Sequence, residues 1–85
     1  MQIQLRFFAS VREALGTGQE SVTLPEDVVT VGDVRNFLRA RGGAWAETLA
    51  EGRALRMAYN QVMTGADTRI GEGGEVAFFP PVTGG

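Results

Sequence analysis

Between Gln2 and Phe8, apolar and polar residues alternate. Ile3, Leu5 and Phe7 fall on one face; Gln2, Gln4, Arg6 and Phe8 fall on the other. A period of two predicts a strand with one buried face. Phe8 interrupts the polar face and reads either as a partner contact or as a lone exposed aromatic. Ser10-Val11-Arg12-Glu13 has the order of a capping box, so a short helical turn is expected through Leu15, ended by Gly16. Gly16-Thr17-Gly18 then turns the chain into a second alternating stretch, residues 19–24, with Val22 and Leu24 inward. Pro25 closes that strand because proline cannot donate to a ladder. Two strands this close in sequence predict an antiparallel pair.

Thr30-Val31-Gly32-Asp33 is a capping box with Asp in the Glu position. It opens a helix in which Val31, Val34, Phe37 and Leu38 recur at helical spacing. Gly42-Gly43 is expected to end it. A shorter helix is expected over residues 45–50, stopping at Gly52, with Trp45 packed in or beside the core. Leu55, Met57 and Tyr59 alternate with Arg56, Ala58 and Asn60, predicting a third strand. A turn at Asn60-Gln61 leads to a short fourth strand, Val62-Met63-Thr64. Met57 and Met63 both read as core filler. Gly71-Glu72-Gly73-Gly74 is a turn rather than a phosphate loop, since a strand follows it and no Lys does. The last strand, residues 75–79, sets Val76 and Phe78 against Ala77 and Phe79.

One main helix over a small mixed sheet is an α+β pattern. The first and last strands both carry continuous apolar runs, so they are expected to be neighbours at the sheet centre. That arrangement is a β-grasp, or ubiquitin-like, fold. The expected organisation is a β-grasp domain over 1–80 and an extended tail over 81–85.

Composition narrows the chemistry. An 85-residue chain is one small domain. It has no Cys, hence no disulfide, no thiolate nucleophile and no thiolate metal ligand, which fits a reducing compartment. It has no His, the side chain suited to proton transfer near neutral pH. The carboxylates are scattered, and Glu26-Asp27 after Pro25 reads as solvated turn chemistry. A self-sufficient enzyme is not expected. All eight basic residues are Arg, and the net charge is −2 with no basic run, which argues against nucleic acid. No apolar stretch approaches the ~20 residues that span a bilayer, so no membrane is expected. The start carries no signal-peptide pattern, and a cytoplasmic protein is expected.

The unusual chemistry lies at the end. Pro80-Pro81 fix their own φ angles and favour extended geometry before them. They would project Val82-Thr83-Gly84-Gly85 stiffly, lowering the entropy lost when the tail enters a partner. Glycines allow close approach but contribute nothing to packing. Alone, they are equally an unstructured end. A terminal carboxylate is ionised at neutral pH and a poor electrophile. To react it must be activated, most simply as an acyl-adenylate made from ATP. An amine acceptor would give an amide and a sulfur donor a thiocarboxylate. Without Cys, sulfur could ride on this chain only at its C-terminus.

The segment from Gly73 through Phe78-Phe79-Pro80-Pro81-Val82-Thr83-Gly84-Gly85 closely resembles the C-terminus of the molybdopterin synthase small subunits, a family of ubiquitin-like sulfur carriers. Phe7-Phe8-Ala9, Val11-Arg12-Glu13, the Val31–Leu38 helix and Asn60-Gln61 fit it too. The turn at 71–75 departs, reading Gly-Glu-Gly-Gly-Glu where the family commonly has Asp-Gly-Asp-Glu. The resemblance implies a non-catalytic, sulfur-donating subunit that binds no cofactor itself. An E1-like adenylyltransferase would use ATP to activate Gly85, and a sulfurtransferase system would convert it to a thiocarboxylate. The large synthase subunit would then take the tail and pass its sulfur to a cyclic pyranopterin monophosphate. Two sulfurs per product call for two turns or two copies, as in a heterotetramer. By the same resemblance Gly85 carries the reactive group and Gly84 permits passage. Phe79, Pro80, Pro81, Val82 and Thr83 form the neck held by partners. If the first and last strands are neighbours, Phe8 joins Phe79 in an apolar docking patch. The alternatives are a ubiquitin-like modifier, a sulfur carrier for thiamine synthesis, and a plain interaction module.

Overall fold

A computed structural model describes residues 1–81; Val82, Thr83, Gly84 and Gly85 of the expected tail lie outside the described residues. In chain order the elements are β1 Gln2–Phe7, α1 Ala9–Leu15, β2 Gln19–Thr23, α2 Val31–Arg39, α3 Gly43–Thr48, β3 Arg56–Tyr59, β4 Val62–Thr64 and β5 Glu75–Phe79. The strands form one sheet in the order β2-β1-β5-β3-β4. β1 and β5 are parallel and occupy the middle, and the other pairs are antiparallel. This is the β-grasp fold.

The alternation in the strands decides what is buried. Ile3, Leu5 and Phe7 of β1 and Val76 and Phe78 of β5 point to one face and lose essentially all contact with water. Val31, Val34 and Leu38 of α2 close over them, with Leu49 completing the same cluster. Phe7 stacks on Phe78 at 6.1 Å, and Trp45 meets Phe7 edge-on at 5.6 Å, so Trp45 packs at the core margin as its sequence position suggested.

The capping box of α2 forms as read. The Thr30 hydroxyl accepts from the Asp33 N–H at 3.1 Å, and the Asp33 carboxylate accepts from the Thr30 and Val29 N–H groups, each at 3.1 Å. The Val29 N–H does most to hold the Asp33 carboxyl below its ordinary range; desolvation opposes it, and Thr30 adds to the lowering. Glu20 is lowered too, chiefly by its hydrogen bonds to the Arg41 guanidinium. Both folded-state pKa values lie below the unfolded ones. Their stabilisation is therefore complete above about pH 5 and is lost as pH falls through the folded values. Acid titration followed by circular dichroism should show stability falling below about pH 4. The fall should be shallower in Asp33→Asn, and an unchanged slope would remove Asp33 from the account.

Three local readings are corrected. α1 starts at Ala9, not after Ser10, and has no side-chain cap. The Phe8 carbonyl takes the Val11 and Arg12 N–H groups, so the first turn closes on the end of the strand and leaves Ser10 inside the helix. α2 ends at Arg39, with Ala40 as its C-cap and before the glycines, because the chain beyond it tightens to i→i−3 bonds from Arg41 and Gly42. Gly42, at φ +77°, instead opens α3, its carbonyl accepting from Trp45 and Ala46. Met63 is not core filler. It is 56% exposed, because β4 is an edge strand and the residue points away from the helices.

The turn before β5 is built around Tyr59. The phenol oxygen accepts from the Gly71 N–H at 2.8 Å, and the ring lies against Gly74. A Cβ on Gly74 would sit 2.6 Å from the ring and its hydroxyl. Gly74→Ala must displace the ring and should cost about 1–3 kcal/mol in urea unfolding. A loss below a few tenths would mean the ring swings aside freely.

Candidate functional site

Strand register carries the side chains of the outer sheet face, the one without helices. Along one row Arg6 of β1 lies beside Ala77 of β5, then Ala58 of β3, then Met63 of β4. The next row toward the C-terminal end pairs Phe79 with Arg56. Phe8 continues the alternation of β1 onto this face, and its N–H donates to the Phe78 carbonyl at 3.2 Å. Its ring meets Phe79 edge-on at 6.4 Å, with the Arg6 guanidinium 5.5 Å from the Phe8 centroid.

The result is a shallow apolar surface. Ala77 and Ala58 make a low floor that is itself nearly covered. Phe8 and Phe79 rise at the exit end and Met63 on the β4 side. Phe8 is 41% exposed although its neighbour Phe7 is fully buried, a difference set by the face each occupies. Apolar surface with a charged margin is what a protein partner covers. Arg6 stands 3.9 Å from Glu75, both partly exposed. Such a pair stabilises by no more than about 1 kcal/mol, so its charges remain available to a partner.

β5 runs through this surface and directly into Pro80 and Pro81. The strand that supplies Phe79 is thus the strand that launches the tail. Pro80 helps line a groove, with Ser10, Thr48 and Arg53, between α1, α3 and the segment before β3. Of the residues expected to act, the structure brings Phe8, Phe79, Pro80 and Pro81 to one end of the molecule. Val82, Thr83, Gly84 and Gly85 lie outside the described residues. Met63 was missed as a surface residue. Alternation alone could not find it, because whether a strand is central or an edge is a tertiary property. Among the described residues no group of His, Cys, Asp and Glu could hold a metal ion. No helix among them is long and apolar enough to cross a membrane.

A β-grasp domain with an apolar outer sheet face at the root of its C-terminal segment defines a ubiquitin-like protein. The chain belongs to the ThiS family, whose sequence model matches residues 5–85. It is 42% identical to the molybdopterin synthase sulfur carrier subunit of Escherichia coli, over 98% of this chain and 99% of that one. It is 35% identical to small archaeal modifier protein 3 of Haloferax volcanii, over the whole of both chains. The crystal structure of SAMP1 from Haloferax volcanii superposes with a TM-score of 0.80 at 26% identity, covering both chains completely.

Proposed function

We propose that this chain is the sulfur carrier subunit of a molybdopterin synthase. Gly85 is adenylated by an ATP-using E1-like partner and converted to a thiocarboxylate by a sulfurtransferase system. It then donates sulfur to cyclic pyranopterin monophosphate inside the large subunit. The observation that carries this reading is continuity: Phe79, packed against Phe8 on the apolar outer face that Met63 also borders, ends β5, and β5 runs directly into Pro80-Pro81. A partner that covers the face holds the root of the tail. Only four residues then remain to reach its active site, about 14 Å when extended. The domain over 1–80 serves as the handle and residues 81–85 as the working part. The likeness to the Escherichia coli carrier along the whole chain supports the choice of reaction. The reading places the protein in the cytoplasm, alongside ATP and the sulfur-transfer system.

A second reading is favoured by one observation, the full-length likeness to a small archaeal modifier protein. The same activated carboxylate would then form amides with other proteins. Intact mass of the protein isolated from cells separates the two. Exchange of one oxygen for sulfur at the C-terminus supports the carrier. Larger conjugates that vanish when the glycines are deleted support the modifier.

A further inference from the structure

We propose that the partner covering the outer sheet face brings a carboxylate to it, which the Arg6 guanidinium takes end-on. An acidic side chain at the rim of an apolar patch is then what this face recognises. The inference rests on the proposed function and deepens it: the occupant is the large synthase subunit, and what is added is the chemistry of its contact surface.

Arg6 is held in place without being satisfied. Its guanidinium carbon lies 5.5 Å from the Phe8 centroid, and the Phe8 ring is itself packed on Phe79. Glu75 stands at 3.9 Å, beyond hydrogen-bond length. Nε is shut off from water and has no hydrogen-bond partner among the described residues. The side chain is nevertheless 41% exposed, so the outer pair of nitrogens faces an incoming ligand. Other guanidiniums are spent inside the chain. Arg35 donates to the Leu49 and Ala50 carbonyls, and Arg41 to both oxygens of Glu20. Arg39, whose Nε is likewise unpaired, still gives Nη1 to Asn36. A guanidinium is a planar fork of donors that matches a carboxylate. With the fork already ordered against Phe8, little side-chain freedom remains to be lost on docking.

The charge of the face has the matching sign. Its strand positions hold Arg6 and Arg56 against one carboxylate, Glu75. That is +1, which leaves −3 to the rest of a chain whose total is −2. Arg56 is exposed and lies in register with Phe79, so the two arginines flank the two phenylalanines. An acidic surface is attracted to this face and repelled by the others. A partner that covers Phe8 and Ala77 also covers Arg6, which lies between them in the sheet. A covered guanidinium without an acceptor is costly, so a wholly apolar partner fits poorly. A second copy turning the same face to this one would meet its own sign of charge.

The test measures binding of the full chain to the purified large synthase subunit of the same organism, by calorimetry at low and at high salt. Native affinity should fall as salt rises. Arg6→Gln and Arg6→Met should each bind at least about 10-fold more weakly, as for loss of a hydrogen bond between charged groups, and should respond less to salt. Both should unfold in urea at the native midpoint, since an exposed pair such as Arg6 and Glu75 adds little to stability. Arg6→Met is the discriminating variant, because it keeps an unbranched apolar stem and loses the fork. Binding by Arg6→Met as tight as native would mean that apolar area alone is recognised, and would overturn the proposal while leaving the proposed function standing. Arg69→Gln, exposed and bridged through its backbone to Thr30 at the start of α2, should bind like the native chain. A loss there equal to that of Arg6→Gln would reduce the effect to net charge and overturn the proposal as well. So would self-association of the native chain that Phe79→Glu abolishes, which would give the face to a second copy. A native chain that does not bind the large subunit at all would sink the proposed function and this inference together.

Discussion

Deleting Gly85 should leave a protein that unfolds at the same temperature as the full chain and transfers no sulfur. The core closes between Ile3 and Phe78, and every buried apolar side chain of the cluster lies in that interval. Residues 79–81 add partial burial at its edge. A terminal glycine has no side chain to bury, so its removal should move the midpoint by less than the shift of a typical surface change, about 0.5 kcal/mol. The chemistry fails for a different reason. The new terminal carboxylate on Gly84 is activatable in principle but sits one residue, about 3.3–3.6 Å, short of the reacting centre. Misplacement of even about 1 Å can lower a rate 100-fold. Thermal unfolding run beside a reconstituted synthase assay reads both halves. A strongly destabilised deletion would make the tail structural, and a fully active one would move the reactive group elsewhere.

The second large effect is a contrast between two adjacent phenylalanines. Phe78 is fully buried between Phe7 and the helices, so Phe78→Ala should cost about 3–5 kcal/mol. That is a large share of what an 85-residue domain has, and the variant should be largely unfolded. Phe79 points the other way, against Phe8 and into solvent. Phe79→Glu should fold, yet bind the large synthase subunit at least 30-fold more weakly, because a carboxylate would be buried in an apolar interface. Phe8→Ala and Met63→Glu should follow Phe79→Glu with smaller losses. Calorimetric binding and denaturant unfolding on the same samples decide the matter. Equal losses in folding and binding would return Phe79 to the core.

Much of this was legible in the chain because local rules carried it. The Thr30-Asp33 box predicted the start of α2 to the residue, and both partners of the box are bonded as expected. The turn at Asn60-Gln61 forms with both residues at positive φ, the geometry a two-residue hairpin requires. Where a local signal failed, a tertiary contact had outbid it. Ser10 lost its cap because the Phe8 carbonyl, held at the strand end, was already in place. Gly42-Gly43 resembled a helix stop, but the tightened turn at Arg41 and Gly42 ended α2 first and released the glycines to start α3.

By itself, the order of residues determined which faces are apolar, that no thiol, imidazole or lysine amine is present, and that the chain ends in two glycines after a proline pair. Those are properties of composition and period, and they need no neighbour. The tertiary structure alone decided that β1 and β5 lie side by side and parallel. That pairing joins Phe8 to Phe79 and gathers the apolar outer face beside Pro80. A strand's period of two says which side chains share a face, whereas the direction and identity of its partner depend on how the whole core closes.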